Sequence, residues 1–443
     1  MSDLDSLQEV QIALLGGTSD GKTTFIISMI NSMSRKLVNI SDNHTLRLQP
    51  VGLKKGLVLA GNAKDVQEDY SEDLKKVAEK INTEAKGNIA SRMARASSSA
   101  GQSRSTGNSI DKAGNINILD KEEGSAEAAA AVMELTDQLA RLFTFPNIGG
   151  RATFATVTTR YIVITFNVLV DEKEVCKLVI TDYAGEVVEL GQDRTVLDSL
   201  KNSFAIQIAD SDSAILLANA TKLSKNLNSK IMDNTSMFNE AQTKSSLNVD
   251  NITPIITSTK SVQPYSIIVA ISQTDHPSLD SRIIRNNFKD VEYQLQKYIY
   301  QSLAVFAFSN KKAFGILPVC AFGKNSAGEP NVDQNNMLIK NSDPNPQNID
   351  KAVLFCLYNV LLERDANISK EIRTLYGFFI GRERVQRRNR LTALHDQFRI
   401  LIDAITESNG YFDDVYEMHH DMNKSIVPDP RFPKEQYSDI VKA

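Results

Sequence analysis

Cysteine is scarce in this chain. Its 443 residues include three, Cys176, Cys320 and Cys356, far apart and in none of the short spacings that hold zinc. They read as reduced packing residues, the usage expected of a cytoplasmic protein. Net charge is small too. Fifty Lys and Arg against 54 Asp and Glu leave −4, too little to argue for wholesale binding to nucleic acid or a membrane. No uninterrupted apolar run approaches the roughly 20 residues that cross a bilayer. The first residues, Met1-Ser2-Asp3-Leu4-Asp5, are acidic without an apolar run, so no signal peptide is expected. No internal repeat is visible. The length suggests about two to four domains.

Against these absences stands one dense motif, Gly16-Gly17-Thr18-Ser19-Asp20-Gly21-Lys22-Thr23-Thr24. It fits the phosphate-loop pattern G-x-x-x-x-G-K-[ST], which is meaningful when a strand precedes it and a helix follows. Both flanks are present. Val10–Leu15 reads as a short buried strand, and Phe25, Ile26, Met29, Ile30 and Met33 recur at helical spacing. Glycines let backbone wrap closely around phosphate oxygens, and the new helix aims its positive end at the same place. Lys22 is expected to reach the β- and γ-phosphates and Thr23 to offer its hydroxyl to Mg²⁺.

The rest of the chain alternates. A less defined region at about 37–84 carries Val66, Leu74, Val77 and Ile81 on one expected helix face. From about 86 to 125 the Ser/Gly/Arg-rich composition predicts disorder, followed by an Ala/Leu-rich helix at about 124–143. Arg160–Val168 and Val175–Thr181 predict a hairpin around a turn at Asp171-Glu172-Lys173-Glu174. The return strand runs into Asp182-Tyr183-Ala184-Gly185-Glu186. A helix is expected at about 193–208, then a strand at Ser213–Ala218. About forty polar residues follow, with a helix at about 224–242 and the remainder a surface loop. Tyr265–Ile271 is the next strand, ending at Ser272-Gln273-Thr274-Asp275. A helix at about 278–304 leads to Phe314–Val319 and Cys320-Ala321-Phe322-Gly323. After a loop at about 324–348, an apolar helix covers about 349–364. This alternation predicts an α/β fold with a mostly parallel sheet, whose ligands bind beyond the carboxyl ends of the strands.

Together the motifs resemble the Ras-like, translation-factor-related P-loop GTPases. The resemblance covers about 10–36 and 155–364, and the long inserts resemble the predicted bacterial double-GTPase proteins of conflict systems. It implies a G domain at 1–364 with insertions at about 37–150 and 222–263. It also implies GTP or GDP as ligand, Mg²⁺ as cofactor and a protein effector as partner. In family terms, Gly16, Thr18, Ser19, Asp20, Gly21, Lys22, Thr23 and Thr24 cradle the phosphates. Thr23 and Asp182 hold Mg²⁺, Asp182 through a water. A switch threonine joins them in the triphosphate state; Thr159 is favoured over Thr158, Thr156 and Thr153 by counting back from the hairpin. Gly185 brings its N–H to the γ-phosphate. Asp275 reads the guanine N1–H and amine, with Gln273 in place of the family's Lys. Ala321, between Cys320 and Phe322, gives its N–H to the guanine O6. Glu186 stands where many relatives have the water-orienting Gln, and Thr18 fills a position that is glycine in Ras, so slow hydrolysis is expected. Arg151 is the candidate arginine finger in cis. Lys22, Gly185, Glu186 and Arg151 thus form the expected catalytic set. The competing readings are a GTP-binding scaffold without turnover and an ATP-using P-loop protein.

Residues 365–443 are expected to form a helical carboxyl-terminal module and an extended tail. Ile368, Ile372, Leu375 and Phe379 make one helical seam; Leu391, Leu394, Phe398, Leu401 and Ile405 make another. Arg382, Arg384, Arg387, Arg388 and Arg390 lie between them. They suit a solvated helix face, with nucleic acid or an acidic membrane as the less favoured partners. His419-His420 lacks a third ligand, so no metal is assigned there.

Overall fold

The computed structural model describes residues 7–17, 19–34, 36–57, 160–183, 211–228, 236–257, 264–280, 288–334, 339, 344–375, 382–408 and 410–417. The helices expected at 124–143 and 193–208, the helix face carrying Val66 to Ile81, the disordered stretch, His419-His420 and the tail lie outside them.

β1 (Glu9–Leu15) runs into the glycine-rich loop, and α1 (Lys22–Met29) leaves it, continuing as one π-helical turn over Ile30–Ser34. β2 (Val38–Asn39), β3 (Thr45–Leu57), β4 (Arg160–Val170) and β5 (Lys173–Tyr183) follow. β6 (Ser213–Asn219) leads to α2 (Ala220–Lys225), α3 (Glu240–Ser246) and α4 (Val249–Thr257). β7 (Ser266–Ser272) precedes α5 (Phe288–Gln294), a π-helical turn over Leu295–Ile299, and α6 (Gln301–Ser309). β8 (Ala313–Pro318), α7 (Ile349–Thr374), α8 (Arg382–Glu407) and β9 (Tyr416–Glu417) complete the described chain.

The described strands form one sheet in the order β2-β3-β4-β5-β1-β6-β7-β8-β9. The five at its centre, β5 to β8, are parallel. The outer pairs are antiparallel. Parallel central strands put all their carboxyl ends on one edge, which brings together segments far apart in sequence.

Alternation along β1 explains the layers. Ile12 and Leu14 face one core with α1, α7 and α8. Ala13 and Leu15 face the other with α2 to α6. Both faces are covered, so the central strands are apolar on both sides; every residue of β6 and β7 is buried. Of the first expected seam, Ile368 is buried and Ile372 and Leu375 pack against the core, while Phe379 lies outside the described residues. Leu391, Leu394, Phe398, Leu401 and Ile405 are buried in the same core as β1. α7 runs unbroken through residue 364, and α8 adds to the sheet's core rather than starting its own.

Several boundaries differ from the sequence expectation. The hairpin turn is Asp171-Glu172 alone, both at positive φ (48° and 63°), and Lys173 and Glu174 already pair in β5. Such a two-residue turn matches strand twist. Asp171 is secured by accepting from Thr45 N at 2.9 Å and by His44 Nδ1 at 2.6 Å. The long β3 was not foreseen. It contains Pro50, tolerated because the register shifts between Pro50 and Gly52. Within 224–242 the described residues 226–228 and 236–239 are not helical, and Leu227 pairs with Phe238 in an antiparallel bridge; Leu247, after α3, and Ile252 and Ile256 of α4 join the core on that face of the sheet. Of the helix expected at 278–304, residues 278–280 and 288–304 are described; 278–280 are not helical, and within 288–304 the helical path breaks at Tyr300.

A buried ion pair fixes the amino-terminal ends of the strands. Arg364 of α7 donates to Asp212 Oδ1 at 2.7 Å and to the carbonyls of Leu7 and Glu9 at 2.7 and 2.8 Å. Asp212 Oδ2 accepts from Gln11 N at 2.8 Å. Removing one partner of such a pair leaves a buried charge uncompensated, at about 3–5 kcal/mol. Arg364→Ala is expected to lower stability by roughly that amount in urea unfolding followed by circular dichroism. A change under about 0.5 kcal/mol, the level of an ordinary surface substitution, would contradict this role.

Candidate functional site

The loop after β1 lies at the carboxyl edge of the parallel strands. Gly16, Ser19 and Gly21 have φ of 158°, 65° and 90°. Gly21 is the left-handed residue that opens α1. Ser19 occupies the left-handed region with a side chain, a strained choice.

The loop is held from three directions. Lys22 Nζ donates to Gly16 O at 2.8 Å and Gly17 O at 2.9 Å. Asn219, at the end of β6, donates to Ser19 O at 3.0 Å, and Gln273 donates to the same oxygen at 3.2 Å. Ser272 Oγ donates to Asp20 O at 2.7 Å. Gly21 O accepts from Phe25 N at 2.8 Å in the first turn of α1. Each described carbonyl from Gly16 to Gly21 is thus engaged. What the loop offers a ligand is N–H groups, the amino end of α1 and the Lys22 ammonium, all favouring an anion.

Asp20 complicates that picture. Its side chain is fully buried and turned inward. Oδ2 accepts from Gly17 N at 2.6 Å, and Oδ1 pairs with Lys222 Nζ of α2 at 2.7 Å. Burial raises its carboxyl, while Lys222 and Lys22 pull it back. Its backbone is engaged as well, the N–H donating to Gly17 O at 3.3 Å and the carbonyl accepting from Ser272.

Asp182, near the end of β5, stands beside Leu14 in the ladder. Its carboxyl is buried, and Oδ1 has no hydrogen-bond partner among the described residues. Burial pushes its pKa up to about 6, against the opposing charge of Lys22. An orphaned buried carboxylate oxygen close to the phosphate loop suits a hard divalent cation, with the Thr23 hydroxyl as a second oxygen donor. Among the described residues no group of three or more His, Cys, Asp or Glu forms a metal site of its own.

A small cleft, partly open to solvent, is lined by Gly21 and Thr24. Phe25, Val319 and Val332 line it, with Ser272, Gln273 and Asp275 as its polar groups. Ala321 and Phe322 also border it. Asp275 Oδ2 accepts from Gly323 N at 2.9 Å, so one of its oxygens is committed to the neighbouring loop. Gln273 sits at φ 57°, its Oε1 buried without a hydrogen-bond partner. Ser28 Oγ of α1 donates to Ala321 O at 3.0 Å, tying the two loops.

No protein-family model matches this chain, and no curated protein is significantly similar to it. The site is therefore read from its geometry.

That geometry brings Gly16, Ser19, Asp20, Gly21, Lys22, Thr23, Thr24, Asp182, Gln273, Asp275, Ala321 and Phe322 to one strand edge. Cys320 is buried and paired through its backbone with Gln347, its thiol pushed up to about 12 by burial. Thr18, Arg151, Thr153, Thr156, Thr158, Thr159, Gly185 and Glu186 lie outside the described residues. Sequence reasoning missed Asn219 and Lys222. An Asn directly after the apolar β6 is a helix-cap signal, and Asn219 Oδ1 does accept from Thr221 N at 2.8 Å. Nothing local marks Lys222.

A raised carboxyl pKa has a definite sign. The folded protein holds the Asp182 proton more tightly than the unfolded chain. The group's stability contribution is full below pH about 4 and is lost as pH rises through about 6. Without Mg²⁺, Asp182→Asn should gain on the order of 3 kcal/mol over the parent above pH 6 and converge with it near pH 4. Urea unfolding across that range measures the gap; a gap independent of pH contradicts the assignment.

Proposed function

We propose that this chain binds GTP with Mg²⁺ at the Gly16–Thr24 loop and acts as a slowly hydrolysing switch of the Ras-like P-loop kind, signalling to a protein effector. The observation that carries the reading is the engagement of the loop's carbonyls, which leaves an electropositive cradle. In this reading Lys22 keeps its hold on the Gly16 and Gly17 carbonyls while its ammonium also meets the β- and γ-phosphates. The N–H groups at the start of α1 hold the remaining charge. Thr23 would ligate Mg²⁺ directly and Asp182 through water, and the bound ion neutralises charge on the β- and γ-phosphates. The base lies along the cleft that Thr24 lines, with the Asp275 carboxylate, steadied by backbone hydrogen bonds from Phe322 and Gly323, as the acceptor for a donor edge. Guanine offers paired donors there and adenine does not, which favours GTP.

Turnover rests on residues identified from sequence alone. Gly185 would orient the γ-phosphate, and Glu186, like-charged with it, is a poor partner for the attacking water. Arg151 and Thr159 would complete the site. Slow release follows from Glu186, and the segment after Asp182 is the element that phosphate loss frees to change an effector surface.

Calorimetric titration of the full chain with GTP and with ATP, each with Mg²⁺, tests the reading. GTP should bind at least tenfold more tightly, and Lys22→Ala should weaken it by about 100-fold or more, as expected for loss of a charged contact worth roughly 3 kcal/mol. Tighter ATP binding removes the guanine assignment, and an unchanged Lys22→Ala affinity removes the phosphate loop itself.

A further inference from the structure

The connection between β8 and α7 is long, and no motif accounts for it. Its described arms, 320–334 and 344–348, fold back on each other. Cys320 and Gln347 exchange backbone hydrogen bonds of 3.2 and 2.9 Å. Phe322 O accepts from Asn345 N at 2.8 Å and from Asn331 Nδ2 at 2.9 Å. Gly323 O accepts from Asn331 N at 3.0 Å, while Gly323 N donates to Asp275. Gly323 has φ of +67°, and a Cβ there would come within 2.0 Å of Asn345 O. The loop from Cys320 to Gly323 is therefore clamped between two arms of its own connection.

The clamp has a product. Asn331 and Val332 are almost fully buried, at 1 and 3 % exposure, and Val332 lines the cleft beside Phe25, Val319 and Ile349. Gly21 and Thr24, at the start of α1, line the same cleft. An anion alone would leave these apolar walls empty. A ligand anchored at the loop and extending along the cleft needs a body with apolar faces and a polar edge, the faces against these side chains and the edge at Ser272 and Asp275.

We propose that the β8–α7 connection builds the base-binding wall of the nucleotide site, with Val332 as a specificity-determining contact and Asn331 as the residue that positions it. The proposal rests on the nucleotide reading above and adds that ring affinity comes from this connection, separately from phosphate affinity. Asn331 joins Val332 to the same Phe322–Gly323 backbone that Asp275 grips, so the apolar wall and the polar edge move as one unit.

The test uses the full chain and two probes, GDP and inorganic tripolyphosphate, titrated by calorimetry, with thermal melts to check folding. Val332→Ala should weaken GDP about tenfold, the scale of lost methyl contacts in an apolar pocket, and leave tripolyphosphate within twofold. If Val332→Ala does not fold, Val332→Ile takes its place: the added methylene narrows the cleft and should likewise weaken GDP alone. For either variant, unchanged GDP binding, or equal weakening of both probes, overturns the wall. A parent protein that binds tripolyphosphate as tightly as GDP has a phosphate site without a base pocket, which also overturns it. A parent that binds neither probe instead removes the nucleotide reading beneath it.

Discussion

Everything at the carboxyl edge depends on how the carbonyl groups of one loop are consumed. A tight turn between a strand and a helix brings backbone oxygens and backbone N–H groups into the same small space. Left unengaged, the oxygens would repel an anion. Here side chains from three places remove that conflict: Lys22 from within, Asn219 from the end of β6, and Ser272 with Gln273 from the end of β7. The loop's electrostatic character is thus a property of the parallel sheet, which alone sets the ends of β6 and β7 beside it.

The same arrangement explains why charge is buried here. Asp20 and Asp182 are carboxylates with little access to water, both raised by burial and both opposed by lysine charge. They differ in their ionic partners. Asp20 Oδ1 lies 2.7 Å from the Lys222 ammonium and Oδ2 accepts from Gly17 N, so its charge is met within the protein and it shapes the loop. Asp182 Oδ1 has no such partner among the described residues. At the opposite edge a different buried charge, Arg364, joins α7 to β1 and Asp212.

Much of this was legible in the sequence. The strand, glycine-rich loop and helix around Gly16–Thr24, the strand that carries Asp182 and the described seam residues of α7 and α8 follow from patterns whose period matches the packed faces. Three features escaped for physical reasons. β3 carries Pro50, Gly52 and Gly56, which lower strand propensity, and its pairing depends on β4, more than a hundred residues away. α3 and α4 sit in a polar stretch whose few apolar residues, Leu247, Val249, Ile252 and Ile256, nevertheless fall on one packed side. The contacts of Asn219, Lys222 and Val332 with the site are tertiary, and no local spacing announces them. Cys176, Cys320 and Cys356 are free and buried, as their isolation in sequence suggested.

The central claim is that this strand edge holds a guanine nucleotide. The most direct measurement is the identity of the small molecule released by denaturing the freshly purified full chain, separated by ion-pair chromatography and weighed by mass spectrometry. The account predicts GDP or GTP in amounts approaching the protein. An adenine nucleotide, or a protein that emerges empty and takes up no guanine nucleotide when loaded with Mg²⁺, would contradict it.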